Sequence, residues 1–183
     1  MTYELNKTVV LVGMMGAGKT AVGRALAAQL NVPFIDSDAE IEKAANMSIA
    51  EIFARDGEAF FREKESQVIA RLLEDEQCIL STGGGAYLAE SNRKAISERG
   101  VAVWLNADIE LLWSRVKHKD TRPLLRTENP RATLEDIFAS RVPLYSLADV
   151  SVDAESGLSI EEMAGRVADA LMARRSDVLK GAE

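Results

Sequence analysis

The 183-residue chain holds one cysteine, one histidine and four prolines. With Cys78 alone, an internal disulfide and a cysteine-based zinc cluster are both excluded. With His118 alone, so are a multi-histidine metal site and the paired histidines of a metalloprotease helix. Positive charge is scarce as well: 22 Lys+Arg against 29 Asp+Glu leave a net charge of -7. Nucleic-acid backbones and anionic membranes reward clustered cations, so neither is an expected partner. No stretch approaches the roughly 18–20 uninterrupted apolar residues of a membrane span. The opening residues, MTYELNK, contain an acid and no apolar run of signal-peptide length. The expectation is a soluble, cytoplasmic protein. A chain of this length buries roughly two thirds of its unfolded surface, so it needs no staple to fold.

What is present is a regular alternation of short β-rich runs and longer helical patterns, the signature of a parallel sheet covered by helices. Thr8-Val9-Val10-Leu11-Val12 is apolar after its first residue, as a strand buried on both faces should be. Further strands are expected at Phe34-Ile35, Cys78–Ser81, Val101–Leu105 and Asp149–Val152. Helices are expected at Lys19–Leu30, throughout 38–73, and around Glu90–Glu98, Asp108–Lys117 and Leu134–Tyr145. A last helix should start at Ser159. Ser48-Ile49-Ala50-Glu51 and Ser159-Ile160-Glu161-Glu162 both fit capping boxes, Gly57 should separate a short helix from a longer one, and Gly100 should end a helix. His118 to Arg131, with four basic residues, two prolines and little periodicity, reads as a mobile loop, and the tail from about 174 to 183 as frayed. The expected architecture is one α/β domain over 1–183, with a five-stranded parallel sheet and helices on both faces.

Gly13-Met14-Met15-Gly16-Ala17-Gly18-Lys19-Thr20 fits G-x-x-x-x-G-K-[ST] without a departure, between a strand and a helix. Its glycines let backbone amides turn toward an anion, and the helix that follows adds its N-terminal partial charge. Lys19 would bridge the β- and γ-phosphates of a nucleoside triphosphate, and Thr20 would offer its hydroxyl to Mg2+. The competing reading is a glycine-rich turn that binds nothing.

A switch protein or motor of this class usually carries an aspartate at the end of a later strand. Here that strand reads CILSTGGG and ends without an acid. The nearest acids are Asp36 and Asp38, two positions apart, which point the same way if the chain stays extended. The bland alternative for either is helix capping. Both, like the triple glycine, fall at the carboxyl end of a strand, where open α/β sheets collect ligands.

The ordered set GMMGAGKT, FIDSD, FFRE, STGGG, RPLL and SRVPLY, from about Lys7 to Val152, resembles the shikimate kinase family. The resemblance implies a three-layer phosphate-loop kinase fold with a mobile lid over about 117–132. The implied activity is transfer of a phosphoryl group from ATP to the 3-hydroxyl of shikimate, a step toward chorismate and the aromatic amino acids. Small molecules, shikimate and ATP, are the implied partners, and the expected state is a monomer. Residues about 36–73 would form the acceptor-binding region.

Residue by residue, Gly16, Ala17, Gly18, Lys19, Thr20 and Ala21 match the nucleotide-binding loop. Asp36 matches the acid that holds Mg2+, together with Thr20. Asp38 matches the residue that accepts from the reacting hydroxyl. Arg62 and Arg141 match two carboxylate-binding arginines, a task suited to a planar guanidinium. Gly83, Gly84 and Gly85 match a turn that approaches the substrate ring. Arg122 matches the lid arginine and, with Lys19 and Asp38, completes the expected catalytic set. Arg115 lies where the family places an arginine near adenine, and backbone around Ala154–Gly157 is expected to touch the base. The bland alternative for Arg62 is pairing with a nearby acid, for which Glu58, Glu63 and Glu65 are at hand; Glu63 is conveniently placed to orient an arginine. Cys78, Trp104 and Trp113 read as packing residues. A kinase for another small acid or polyol, such as gluconate, is the alternative enzyme, and a nucleotide-binding switch the alternative class.

Overall fold

The computed structural model describes residues 2–75, 77–118 and 125–182. The strands are β1 (Thr2–Leu5), β2 (Thr8–Val12), β3 (Phe34–Asp36), β4 (Ile79–Ser81), β5 (Gly100–Asn106), β6 (Val150–Asp153) and β7 (Leu179–Ala182). Strands β2 to β6 form one wholly parallel sheet in the order β3-β4-β2-β5-β6. The central strand, β2, is covered on both faces, which is why Val9, Val10 and Leu11 show no exposed surface and no apolar–polar alternation.

The helices are α1 (Lys19–Leu30), α2 (Ser37–Ala45), α3 (Ile49–Glu74), α4 (Glu90–Arg99), α5 (Ile109–Val116), α6 (Pro130–Tyr145) and α7 (Ile160–Arg174), with a short 3-10 turn at Ala86–Leu88. Helices α1 and α7 pack together in one layer, and α3 and α4 in the other. Asn31 ends α1 in the left-handed region, at φ 55°. Helix α3 runs through Gly57, whose φ of 86° breaks the helical path. Only glycine adopts that conformation cheaply, so a short helix and a longer one meet at Gly57 across a kink, as the sequence predicts.

The first of the two capping boxes differs from the standard pattern in one detail. Ser48 and Ser159 accept from the amides of Glu51 and Glu162, at 3.1 and 3.0 Å. The Glu51 carboxylate then takes the Ser48 hydroxyl at 3.0 Å, while Glu42 accepts from the Ile49 amide at 2.9 Å. Gly100 does follow α4, but in extended backbone; a Cβ there would stand 2.6 Å from the Thr8 carbonyl oxygen, so close strand pairing demands the glycine.

Two boundaries need correcting. The tail expected to fray from 174 instead forms β7, antiparallel to β1 with Thr2 opposite Ala182 and Leu5 opposite Leu179. Val178 and Leu179 are fully buried, so the pairing is anchored by apolar side chains as well as by hydrogen bonds. The loop expected to reach Arg131 ends earlier. Asn129 caps α6 by accepting from the Ala132 amide at 3.2 Å, and Pro130 takes the first helical position, where its missing N–H costs nothing. Arg131 is then held by Glu110 and Glu135 and lies over the Trp113 ring. Residues 119–124, with Arg122, fall outside the described residues.

Candidate active site

The loops after β2, β3, β4 and β6 surround a cavity of about 550 Å3. Met15 to Val22 form its floor on one side, with Asp36, Asp38 and Ser81 to Gly84 opposite. The phosphate loop owes its shape to Gly16 and Gly18, at φ 82° and 95°. Its two methionines are tucked into the core, which is what fills the variable positions of the motif. Lys19 folds back over the loop, Nζ donating to the carbonyls of Gly13 at 2.7 Å and Met14 at 3.0 Å. Arg115 reaches the same loop from α5 and donates to the Gly16 carbonyl at 2.9 Å.

On the other side, Asp36 and Asp38 meet the cavity without the extended backbone expected for them. Asp36 closes β3 and caps α2, its Oδ1 accepting from the amides of Asp38 and Ala39 at 2.9 and 3.4 Å. Asp38 stands in the first turn of α2, one helical step further round. The capping reading and the cavity-lining reading of Asp36 both hold. Asp38 Oδ1 is buried with no hydrogen-bond partner among the described residues, so an acceptor waits there for a ligand donor.

The triple glycine sits against the two arginines. Thr82 ties the end of β4 to β2 through a 2.9 Å bond from its hydroxyl to the Leu11 carbonyl, which aims the turn. A Cβ at Gly83 would stand 2.9 Å from Asp38 Oδ1, and one at Gly84 2.9 Å from Arg141 Nη1. At Gly85 it would meet Arg62, with Nη1 at 2.6 Å and Cζ at 2.7 Å. The sequence-expected acceptor residues therefore converge. Because the intruded atoms belong to a flexible guanidinium, Gly85→Ala should leave the fold intact and push Arg62 aside. The expected readout is an unchanged circular dichroism spectrum with the acceptor KM raised about tenfold; an unchanged KM would separate Gly85 from the clamp.

The carboxylate that holds Arg62 is Glu65, not Glu63. Arg62 Nη1 donates to Glu65 Oε1 at 2.9 Å, and Glu65 is 1% exposed whereas Glu63 is exposed. Helical geometry supplies the reason, since positions three apart share a face and neighbours do not. Glu58 adds a weaker contact, 3.6 Å from Nε.

Burial pushes the Asp38 carboxyl above its ordinary range, the Asp36 charge adds to this, and Lys19 opposes it. Burial also raises the Glu65 carboxyl, against the pull of Arg62. The far end of the cavity is lined by Glu155, Leu158, Ser159, Ile160 and Met163, which overlaps the 154–157 expectation and extends it into α7. Among the described residues, no group of three or more His, Cys, Asp or Glu could hold a metal. The Thr20 hydroxyl and one Asp36 carboxylate on the cavity wall instead suit an ion that keeps its waters and phosphate oxygens, as Mg2+ does.

The shikimate kinase family model matches residues 15–172. A shikimate kinase of Ruegeria pomeroyi is 69% identical over 176 residues, 96% of this chain and 90% of that protein. One of Cereibacter sphaeroides is 65% identical over 177 residues, covering 97% and 88%. Among solved structures, shikimate kinase from Acinetobacter baumannii in complex with shikimate aligns with a TM-score of 0.85 at 37% identity, over 92% of this chain and 94% of that one. A gluconokinase from Sinorhizobium meliloti, at 18% identity and a TM-score of 0.63 over 95% and 96%, shares the fold alone. With the match running through the phosphate loop, the acids and both arginines, this chain belongs to the shikimate kinase family.

Proposed function

We propose that the protein transfers the γ-phosphoryl group of ATP to the 3-hydroxyl of shikimate, giving shikimate 3-phosphate and ADP, a step of aromatic amino-acid biosynthesis. The observation that carries this reading is the unpartnered Asp38 Oδ1, buried in the same cavity as Lys19 and against the glycine turn that packs on Arg62 and Arg141.

Lys19 and the amides of Gly16 to Ala21 hold the triphosphate, and Arg115 stands toward the base. Arg62 and Arg141 hold the shikimate carboxylate, while Gly83 to Gly85 leave room for its ring. Asp38 accepts from the 3-hydroxyl and orients it for in-line attack on the γ-phosphorus. The transition state is loose, so positioning and charge stabilisation carry most of the rate and the proton leaves late. Thr20 and Asp36 would hold Mg2+, which when bound neutralises charge on the β- and γ-phosphates. Arg122, in the lid segment between α5 and α6, brings positive charge to the transferring group. Residues 36–73 serve the acceptor. The reading extends to a cytoplasmic monomer without nucleic-acid or membrane partner. Against nucleic-acid and anionic-membrane partners, its support is the net charge of -7.

The test is ADP release with ATP and Mg2+ and, in turn, shikimate, quinate, gluconate or no acceptor. Stimulation by shikimate alone is the expected result. Stimulation by gluconate alone would keep the chemistry and discard the substrate, and none at all would favour a nucleotide switch.

Asp38→Asn should lower kcat by about 100-fold or more, within the range for a group that handles the reacting proton. In the parent enzyme, kcat/KM should fall on the acid side with a midpoint above 3.8, the ordinary aspartate value. Stability should move the other way. A carboxyl whose native pKa is raised binds its proton more tightly when folded. It favours the native state below 3.8 and loses that contribution as pH rises through the raised value. At pH 7 the neutral amide should therefore raise Tm; a lower Tm would contradict this account of the site's electrostatics.

A further inference from the structure

Tyr145 ends α6 with its whole side chain buried, and a buried phenol needs a partner. It finds one in the acceptor turn, its Oη donating to the Gly84 carbonyl at 2.6 Å. Arg141 stands one helical turn earlier on the same face of α6. A Cβ at Gly84 would meet Arg141 Nη1 at 2.9 Å and Tyr145 Oη at 3.7 Å, so both side chains close on one glycine. The Tyr145 ring also lies 6.2 Å from that of Trp104, whose Cδ1 would be 3.4 Å from a Cβ at Gly13, the first residue of the phosphate loop. One phenol thus touches the acceptor turn directly and abuts a ring that leans on the nucleotide loop. Burial raises its pKa, with Arg141 opposing, so the hydroxyl remains a donor across the physiological range.

We propose that Tyr145 is a positioning residue for the acceptor: its hydroxyl fixes Gly84 and, with it, the place where Arg141 meets the substrate carboxylate. The proposal rests on the reading of Gly84 and Arg141 as acceptor groups. Helix α6 is then registered on the glycine turn by a hydrogen bond and not by ring packing alone. A phenylalanine keeps the ring and its contact with Trp104 but leaves the Gly84 carbonyl without its donor. A merely structural tyrosine would lower Tm on that change and leave the substrate constants alone.

The experiment measures KM for shikimate, KM for ATP, kcat and Tm for the parent, Tyr145→Phe, Arg141→Ala and the double variant. Tyr145→Phe should raise KM for shikimate about tenfold and keep KM for ATP within about twofold. In the Arg141→Ala background the same change should add less than about threefold, because two groups acting on one contact are not additive. An unchanged shikimate KM, an equal rise in both KM values, or a full tenfold effect in the Arg141→Ala background would each overturn the proposal. The parent arm keeps the two readings apart. A parent without shikimate-dependent turnover overturns the acceptor reading and this proposal with it, whereas an active parent with an unaffected Tyr145→Phe variant overturns this proposal alone.

Discussion

Replacing Lys19 by alanine should lower kcat about 100- to 1000-fold, the range seen when a donor aimed at developing charge is removed. In the structure the ammonium is held over the loop by the carbonyls of Gly13 and Met14, on the wall of the cavity that the phosphates would enter. Two backbone carbonyls fix its place on the cavity wall, so little reorganisation is left for the moment of reaction. The fold should not suffer. Lys19 opens α1, alanine is at least as good a helix former, and the loop's shape comes from its glycines. Circular dichroism should match the parent while turnover collapses. Near-normal turnover would sink the role given to the loop.

Removing Arg62 should produce the second large effect, in a different constant. A substrate carboxylate brought into the pocket without its guanidinium typically loses on the order of 2–5 kcal/mol, or ~30- to several-thousand-fold in shikimate affinity. Arg62→Ala also strands Glu65, which is 1% exposed and whose Oε1 takes its hydrogen bond from Arg62. Its carboxyl, already raised by burial, would rise further, and the variant should lose stability as pH increases through that value. Isothermal titration with shikimate and with a non-hydrolysable ATP analogue separates the two sites. A fall in nucleotide affinity with shikimate affinity unchanged would reverse the assignment.

Most of the sheet was legible because a buried parallel strand leaves a continuous apolar run, and β2 and β5 are such runs. The phosphate loop was legible because its chemistry is local. Asp36 and Asp38 were found for partly the wrong reason, since the chain turns helical at Ser37 and their shared outlook comes from the cap of α2 and not from an extended strand. Glu58, Glu63 and Glu65 were all visible as acids near Arg62; Glu63 was singled out, although helical spacing favours position 65. The β1–β7 pairing had no local signal. Leu179-Lys180-Gly181-Ala182 is four residues long, contains a glycine and finds its partner at the opposite end of the sequence. Tyr145 was visible only as the last residue of SRVPLY and of a predicted helix. The direction of a hydroxyl depends on what the tertiary fold brings to it.

That β1–β7 pairing has a topological consequence. Residues 2 and 182 face one another across an antiparallel pair, with Cα atoms about 5 Å apart as such pairs require. Residues 2–182 therefore trace a nearly closed ring, and neither strand contributes a residue to the cavity. A two-residue type I′ turn such as Asn-Gly would span the gap. The elements could then be read from a different starting point around the ring with the site's side chains left where they are, so the linear order of this sequence is one of several that can specify the same pocket.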